Sequence, residues 1–247
     1  MEQGVDKHVD LQNSSAKRMI GKVAVVTGGA RGIGAATAKL FAENGAYVVI
    51  ADILDEAGTM LANSIGARYI HCDVAKESDV ESAIQLAITW KGKLDILFSN
   101  AGIGGTASSI TSLDMEQVKH LVSINLLGNR LTLTLSKAGI VGLMRTAACE
   151  LGVHGIRVNC ISPHGVPTDM LISGYRMFRG KETTPEEVKK LVGDQGSLLR
   201  GKAATVEDVA QAAVFLASDD TGFITAHNLV IDGGYTSAIS SLSFIYK

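Results

Sequence analysis

The chain has 247 residues, of which 46% are hydrophobic and 19% charged, enough apolar content for one large α/β domain. A formal net charge of −2 gives no electrostatic ground for a nucleic acid or an anionic surface as partner. The three cysteines (Cys72, Cys149, Cys160) are far apart and the six histidines form no metal-type cluster, so no disulfide framework and no metal site are expected. Each cysteine is expected to be a small buried hydrophobe in a reducing compartment.

Residues 1–20 are polar and lack the apolar run of a signal peptide, and no later stretch approaches a membrane span. They are expected to form a flexible arm ahead of a single domain over residues 21–247, with the cytoplasm as the default location. Lys22–Thr27 (KVAVVT) is a β-branched run ending at glycines, the signature of a buried strand. Helical periodicity follows over Ile33–Asn44 and stops at Gly45. A second strand is predicted over Tyr47–Ala51, a helix over Asp55–Ile65, a third strand over Arg68–Cys72, a helix over Glu77–Trp90 and a fourth strand over Leu94–Phe98. This alternation with short loops predicts a doubly wound parallel sheet of the Rossmann type, covered on both faces. Further along, a helix is predicted over Lys137–Leu151, a strand over Arg157–Ile161, a helix over Thr205–Ala217 with Thr205 as its N-cap, and a last strand over Asn228–Ile231.

Thr27–Gly34 reads TGGARGIG, between a strong strand and a strong helix. Gly28 permits a tight turn, Gly32 lets backbone approach a pyrophosphate, and Gly34 lets the helix pack closely on the strand. The helix N-terminus then faces the phosphate charge. Asp52 ends the second strand, eighteen residues beyond Gly34. A carboxylate there accepts hydrogen bonds from adenosine ribose hydroxyls and repels a 2′-phosphate, which favours NAD over NADP. Arg31 pulls the other way, because a basic residue in the glycine loop can serve a phosphate; its other reading is a solvated surface charge.

The glycine loop, Asp52, Asp73-Val74, Ser99-Asn100-Ala101-Gly102, Asn125, Ser136-Lys137, RVNCISP from Arg157 to Pro163, Val166, Thr168 and Ile231-Asp232-Gly233-Gly234 together resemble the short-chain dehydrogenase/reductase family. Within it, the wording resembles the plant group acting on terpenoid, apocarotenoid and lignan secondary alcohols. The resemblance covers nearly the whole chain after Met19. It implies an NAD-dependent oxidoreductase that interconverts a hydrophobic secondary alcohol and its ketone, working as a homo-oligomer on a lipophilic small molecule, with no nucleic-acid or membrane partner. By the same resemblance Arg31 and Ile33 join the three glycines in the cofactor loop. Asp73 and Val74 line the adenine pocket, and Asn100, Ala101 and Gly102 support sheet and cofactor. Val166 and Thr168 complete the cofactor site. Ser99 and His164 are mild departures from the family pattern.

The catalytic centre departs further. In the family a tyrosine four residues before a lysine is the base, the lysine lowers its pKa and holds the nicotinamide ribose, a serine polarises the substrate oxygen, and an asparagine holds a relay water. Lys137 and Asn125 stand in place as the remaining catalytic candidates, but position 133 is Leu133, and no tyrosine occurs between Tyr69 and Tyr175. Only eleven residues, Leu126–Ser136, separate Asn125 from Lys137, where the family places a strand with its flanking loops and helix end, roughly 25 residues by ordinary element lengths. An internal deletion that shortens or removes the fifth strand is therefore expected, from a variant transcript, a wrong gene model or a decayed paralogue. The alternation of Arg130–Leu135 (RLTLTL) suits a short strand, a continued helix or an irregular link. The alternative function is an NAD-binding, catalytically impaired chain. Thr168–Ala203 reads as the longest irregular stretch, although its charged Lys181–Lys190 suits a solvated helix face; the resemblance makes it a lid, with an apolar first part suited to a lipophilic substrate. His164 is expected to be structural or pocket-lining, and Tyr175 is the one conceivable substitute proton donor.

Overall fold

The computed structural model describes residues 17–104, 116, 124–125 and 133–236, without the side chains of 133–138. Its first half is a four-stranded sheet in which β1 (Val23–Thr27), β2 (Tyr47–Asp52), β3 (Arg68–His71) and β4 (Ile96–Phe98) stand in the order β3-β2-β1-β4. All three pairings are parallel, with Val26 opposite Ile50 and Phe98. The connections are α1 (Gly32–Glu43), α2 (Asp55–Ile65) and α3 (Glu77–Lys91). Successive side chains of a strand point to opposite faces, and here both faces are covered. Ala24, Val26, Val48 and Ile50 pack with Ala38 and Phe41 of α1. Val23, Val25, Val49 and Ala51 pack with Ala83 and Ala87 of α3. That explains why β1 and β2 are nearly continuous apolar runs instead of alternating ones.

The second half comprises α4 (Leu133–Gly152), β5 (Cys160–Pro163), α5 (Asp169–Arg179), α6 (Pro185–Gln195), α7 (Val206–Ala217), a short 3-10 turn at Asp219–Thr221 and β6 (Asn228–Ile231). β5 and β6 pair in parallel as a separate two-stranded sheet. Among the described residues, β4 pairs with β1 alone and β5 with β6 alone, and no strand lies between them in sequence. Leu97 of β4 is 47% exposed and Leu143 of α4 is 54% exposed, apolar surface that a continuous parallel sheet ordinarily covers. Of the RLTLTL run, Leu133–Leu135 opens α4, which excludes a strand there; Arg130–Thr132 lie outside the described residues. The halves meet where Ala213 and Val214 of α7 enter the core formed by α1 and the first sheet.

Several sequence expectations shift. The arm assigned to residues 1–20 is packed by Met19, which is fully buried and donates its N–H to the Asn44 carbonyl at 3.1 Å. Arg18 pairs with Asp220 at 2.6 Å and Lys22 with Asp219 at 2.7 Å. Residues 1–16 lie outside the described part. Met19 escaped notice because a single apolar residue carries no periodicity. The lid is mainly helical, not irregular: α6 begins with a capping box in which Thr184 accepts from the Glu187 N–H and Glu187 accepts from the Thr184 N–H. Cys72 is buried as expected, but Cys149 is exposed and Cys160 half-buried. The helical setting of Cys149 puts it on the outer face of α4, so its apolar character did not decide its burial.

Met19 sits against the α1–β2 core with no exposed surface. Met19→Ala should lower unfolding free energy by about 2–5 kcal/mol, the usual cost of truncating a buried large side chain to alanine. Urea denaturation with unchanged m-value would register it.

Candidate cofactor and active site

The site forms at the carboxyl ends of β1, β2 and β4, where a doubly wound sheet leaves a crevice. The chain turns sharply after β1 through Gly28, whose φ is +62°. A Cβ on Gly28 would stand 2.7 Å from the Ala101 Cα, and one on Gly34 would stand 2.1 Å from the Gly28 carbonyl oxygen. Gly32, at φ +56°, has space around it, the nearest atom being the Thr168 methyl at 3.6 Å from a built Cβ. Thus two glycines serve close packing and the third serves backbone conformation beside open space. Arg31 is the extended N-cap of α1 and is exposed, with no side-chain cap bond. The first N–H groups of a helix have no partner within it, so the turn Gly32-Ile33-Gly34 presents donors and positive helix-end charge to the crevice.

Asp52 ends β2 and is 7% exposed. Its Oδ2 accepts from the Ala30 N–H at 2.9 Å and its Oδ1 from the Leu54 N–H at 3.0 Å. These bonds tie the glycine loop to the end of β2 and leave lone pairs on both oxygens. Asp73 follows β3; its Oδ1 accepts from the Ala75 N–H at 3.1 Å, and Lys76 lies 3.7 Å from it. Val74 is half-buried against the α3 side of the sheet. After β4, Asn100 reaches back with Nδ2 to the carbonyls of Thr27 and Gly28 at 3.0 and 3.1 Å. Thr27, which sequence reasoning quoted but did not single out, joins both sides: its hydroxyl oxygen accepts from the N–H groups of Asn100 and Ala101 at 3.1 and 3.2 Å. A strand-end threonine directly before the glycines was the signal available for it.

Asn125 clamps the next segment. Its Oδ1 accepts from the Ile103 N–H at 2.8 Å and its Nδ2 donates to the Ile103 carbonyl at 2.9 Å. A Cβ on Gly102 would stand 3.3 Å from that Oδ1. Met170 of α5 lies over Gly104, 3.3 Å from a built Cβ, which brings the lid onto the same ledge. Val166 is buried, and Thr168 caps α5 beside Gly32. The structure therefore gathers Gly28, Arg31, Gly32, Ile33, Gly34, Asp52, Asn100, Ala101, Gly102 and Thr168 around one crevice. Lys137 belongs to α4, and its side chain lies outside the described residues. Leu133, four residues earlier, begins that helix. His164 stacks flat on Tyr235 with ring centroids 4.5 Å apart, a packing role, and Tyr175 packs on the lid cluster of Ile172, Val188 and Val192. Asp232 is held ionised by hydrogen bonds from the Thr236 hydroxyl and N–H and from the Gly234 N–H, which lower its pKa.

With this geometry established, the comparisons are consistent. Residues 22–135 match the family described as short chain dehydrogenase, and residues 128–236 match the one described as Enoyl-(Acyl carrier protein) reductase. The chain is 51% identical over 271 residues to "Short-chain dehydrogenase reductase ATA1" of Arabidopsis thaliana, covering 95% of this chain and 99% of that one. The chain belongs to the short-chain dehydrogenase/reductase family. Members of that family are oxidoreductases that use a nicotinamide cofactor. The chain is also 41% identical to (+)-borneol dehydrogenase 1 of Salvia officinalis, over 92% of this chain and 98% of that protein. Its fold superposes on levodione reductase with a TM-score of 0.80 at 26% identity, covering 90% of this chain and all of that one. Among the described residues no helix is long and apolar enough to cross a membrane.

Gly34→Ala should be far more damaging than Gly32→Ala, since its methyl would meet backbone at 2.1 Å while the other meets open space. Overpacking of this kind typically costs about 1–3 kcal/mol or more, against about 1 kcal/mol for left-handed strain; chemical denaturation of the two variants orders them. Asp232 gives a pH signature. Its lowered folded pKa adds stability that is complete above roughly pH 4, the ordinary carboxylate range, and that is lost as pH falls through the folded value. Asp232→Asn should flatten that acid limb in a pH series of thermal melts.

Proposed function

We propose that this chain descends from NAD-dependent dehydrogenases of hydrophobic secondary alcohols and that, as it stands, it binds NAD(H) while turning substrate over very slowly. Asp52 carries the cofactor half of this reading. Its carboxylate sits against the glycine loop with lone pairs remaining, which suits ribose hydroxyls and opposes a 2′-phosphate. The crevice fits a dinucleotide because Gly32 leaves open space beside the loop, Gly28 and Gly34 let the loop and helix close up behind it, and the α1 N-terminus opens on it. Gly32, Ile33 and Gly34 would face the pyrophosphate, with Asp73 and Val74 on the adenine side. Asn100, Ala101, Gly102, Val166 and Thr168 would flank the nicotinamide half. When bound, NAD supplies the hydride acceptor for alcohol oxidation.

Leu133 carries the other half. It stands four residues before Lys137, at the position of the family's base, and a leucine neither accepts nor donates a proton. Lys137 would hold the nicotinamide ribose and Asn125 would keep the Ile103 segment in place beside it, but no described residue is placed to take the hydroxyl proton. An internal deletion between Asn125 and Lys137 is supported on three sides. Among the described residues the sheet divides between β4 and β5. The two family matches meet at residues 128–135. Finally, 95% of 247 residues is about 235, so some 36 of the 271 positions aligned with the Arabidopsis relative face no residue of this chain. The borneol dehydrogenase relative and the apolar lid support a lipophilic alcohol or ketone as the ancestral substrate. The cytoplasm, and a homo-oligomeric state if the subunit interface survives the deletion, remain part of this reading.

NADH formation from a panel of monoterpenoid, lignan and apocarotenoid alcohols should fall about 10²–10⁴-fold below that of a version with a strand, serine and tyrosine restored between Asn125 and Lys137, the usual worth of a positioned base. Equal rates from the two would overturn the impaired reading and point to an unrecognised base, with Tyr175→Phe the first variant to assay. Calorimetry should give tighter binding of NAD+ than NADP+, and Asp52→Ala should narrow the difference.

A further inference from the structure

A polar cluster not used above stands where β2 and β3 end, next to Asp52. Tyr69 of β3 lies beneath α2, where Gly58 makes room: a Cβ on Gly58 would come within 2.2 Å of the Tyr69 ring. Glycine inside a helix is unfavourable by roughly 0.5–1 kcal/mol relative to alanine, so this site gives up helix stability for the ring's position. The ring places its hydroxyl between two acceptors that share its one proton, the backbone carbonyl of Asp52 at 2.7 Å and the Asp55 Oδ1 at 2.7 Å. His71, opposite Asp52 in the β2–β3 register, places its Nδ1 2.8 Å from the same Asp55 oxygen. Asp55 is therefore fixed within two hydrogen bonds of Asp52. It is held ionised first by the Tyr69 hydroxyl and then by His71, and its side chain is 66% exposed. The Tyr69 hydroxyl, half-buried and next to this carboxylate, keeps its proton and stays a donor.

We propose that Asp55, positioned by Tyr69, is a second negative charge that discriminates against a phosphorylated adenosine ribose, so that dinucleotide specificity rests on Asp52 and Asp55 together. The inference rests on the proposed NAD site. Asp52 spends two of its acceptor positions on the glycine loop and the Leu54 N–H and is nearly buried, which suits contact with ribose hydroxyls. Asp55 is the more exposed of the two and meets a dianionic phosphate earlier. Arg31, exposed on the other side of the loop, is the opposing charge. Asp73 adds less, because Lys76 beside it carries a permanent positive charge, whereas the His71 imidazole beside Asp55 is charged only when protonated. A charge–charge origin makes the preference salt-dependent, since a Debye length of about 10 Å at 0.1 M shortens to about 3 Å at 1 M.

The test is the ratio of NADP+ to NAD+ affinity by isothermal titration calorimetry for the full chain and for Asp55→Asn, Tyr69→Phe and Asp52→Ala, each at low and high salt. Asp55→Asn should tighten NADP+ binding about 3–10-fold and leave NAD+ within about twofold, the size expected of one partly screened charge. Its ratio should also vary less with salt than that of the parent. Tyr69→Phe should move the ratio in the same direction by a smaller amount, a change that general loosening, weakening both dinucleotides alike, does not produce. A ratio unchanged in Asp55→Asn while Asp52→Ala shifts it overturns this inference alone. A ratio unchanged in both overturns the NAD-site reading as well.

Discussion

The contact on which the rest depends is the approach of α1 to the turn behind it. A methyl group at residue 34 would stand 2.1 Å from the Gly28 carbonyl oxygen, so helix and loop touch through backbone with nothing between. That closeness fixes where the helix N-terminus points, and the Thr27 hydroxyl and Asn100 amide then lock β1 to the end of β4 around it. Asp52 completes the frame from the other side through the Ala30 N–H. The crevice is thus built mainly from main-chain groups, and side chains set its selectivity at the rim.

Such an arrangement is unusually legible in a sequence. Backbone approach demands glycine at fixed offsets, and buried parallel strands demand unbroken β-branched runs, so β1, β2 and the TGGARGIG loop could be placed nearly to the residue. β6 and α2 fell on their observed limits because their ends carry ordinary boundary signals. The sequence was less informative wherever a tertiary contact overrode local pattern. Met19 lies in a polar stretch, and only the groove beside Asn44 reveals why it is buried. In the lid, only the charged Lys181–Lys190 stretch reads as helical at first sight, although Asp169–Arg179 carries a strong amphipathic period and the Thr184–Glu187 capping box marks a helix start. The Tyr69–Asp55 pairing needed the knowledge that Gly58 leaves space for a ring from the neighbouring strand. Leu133 and the short interval before Lys137 were legible as a departure, since a missing proton-transfer group is plain from residue type alone.

The division of the sheet also changes what kind of force joins the two halves. In a continuous parallel sheet, neighbouring strands are tied by a ladder of directional hydrogen bonds. Here, among the described residues, the join is side-chain packing, of Ala213, Val214, Ala217 and Ile161 on the α1 side of the core and of Thr168 and Met170 at Gly32 and Gly104, with ion pairs at Arg18 and Lys22 that contribute little. Apolar contact weakens on cooling, whereas the hydrogen-bonded ladder within each half does not share that dependence to the same degree. Among the described residues the β1–β4 and β5–β6 sheets therefore share one apolar core and not one hydrogen-bond ladder. The crevice has its glycine loop on one sheet's side and Thr168 on the other's, so its two walls are held to one another by side-chain packing, which has no fixed register, and not by paired strands.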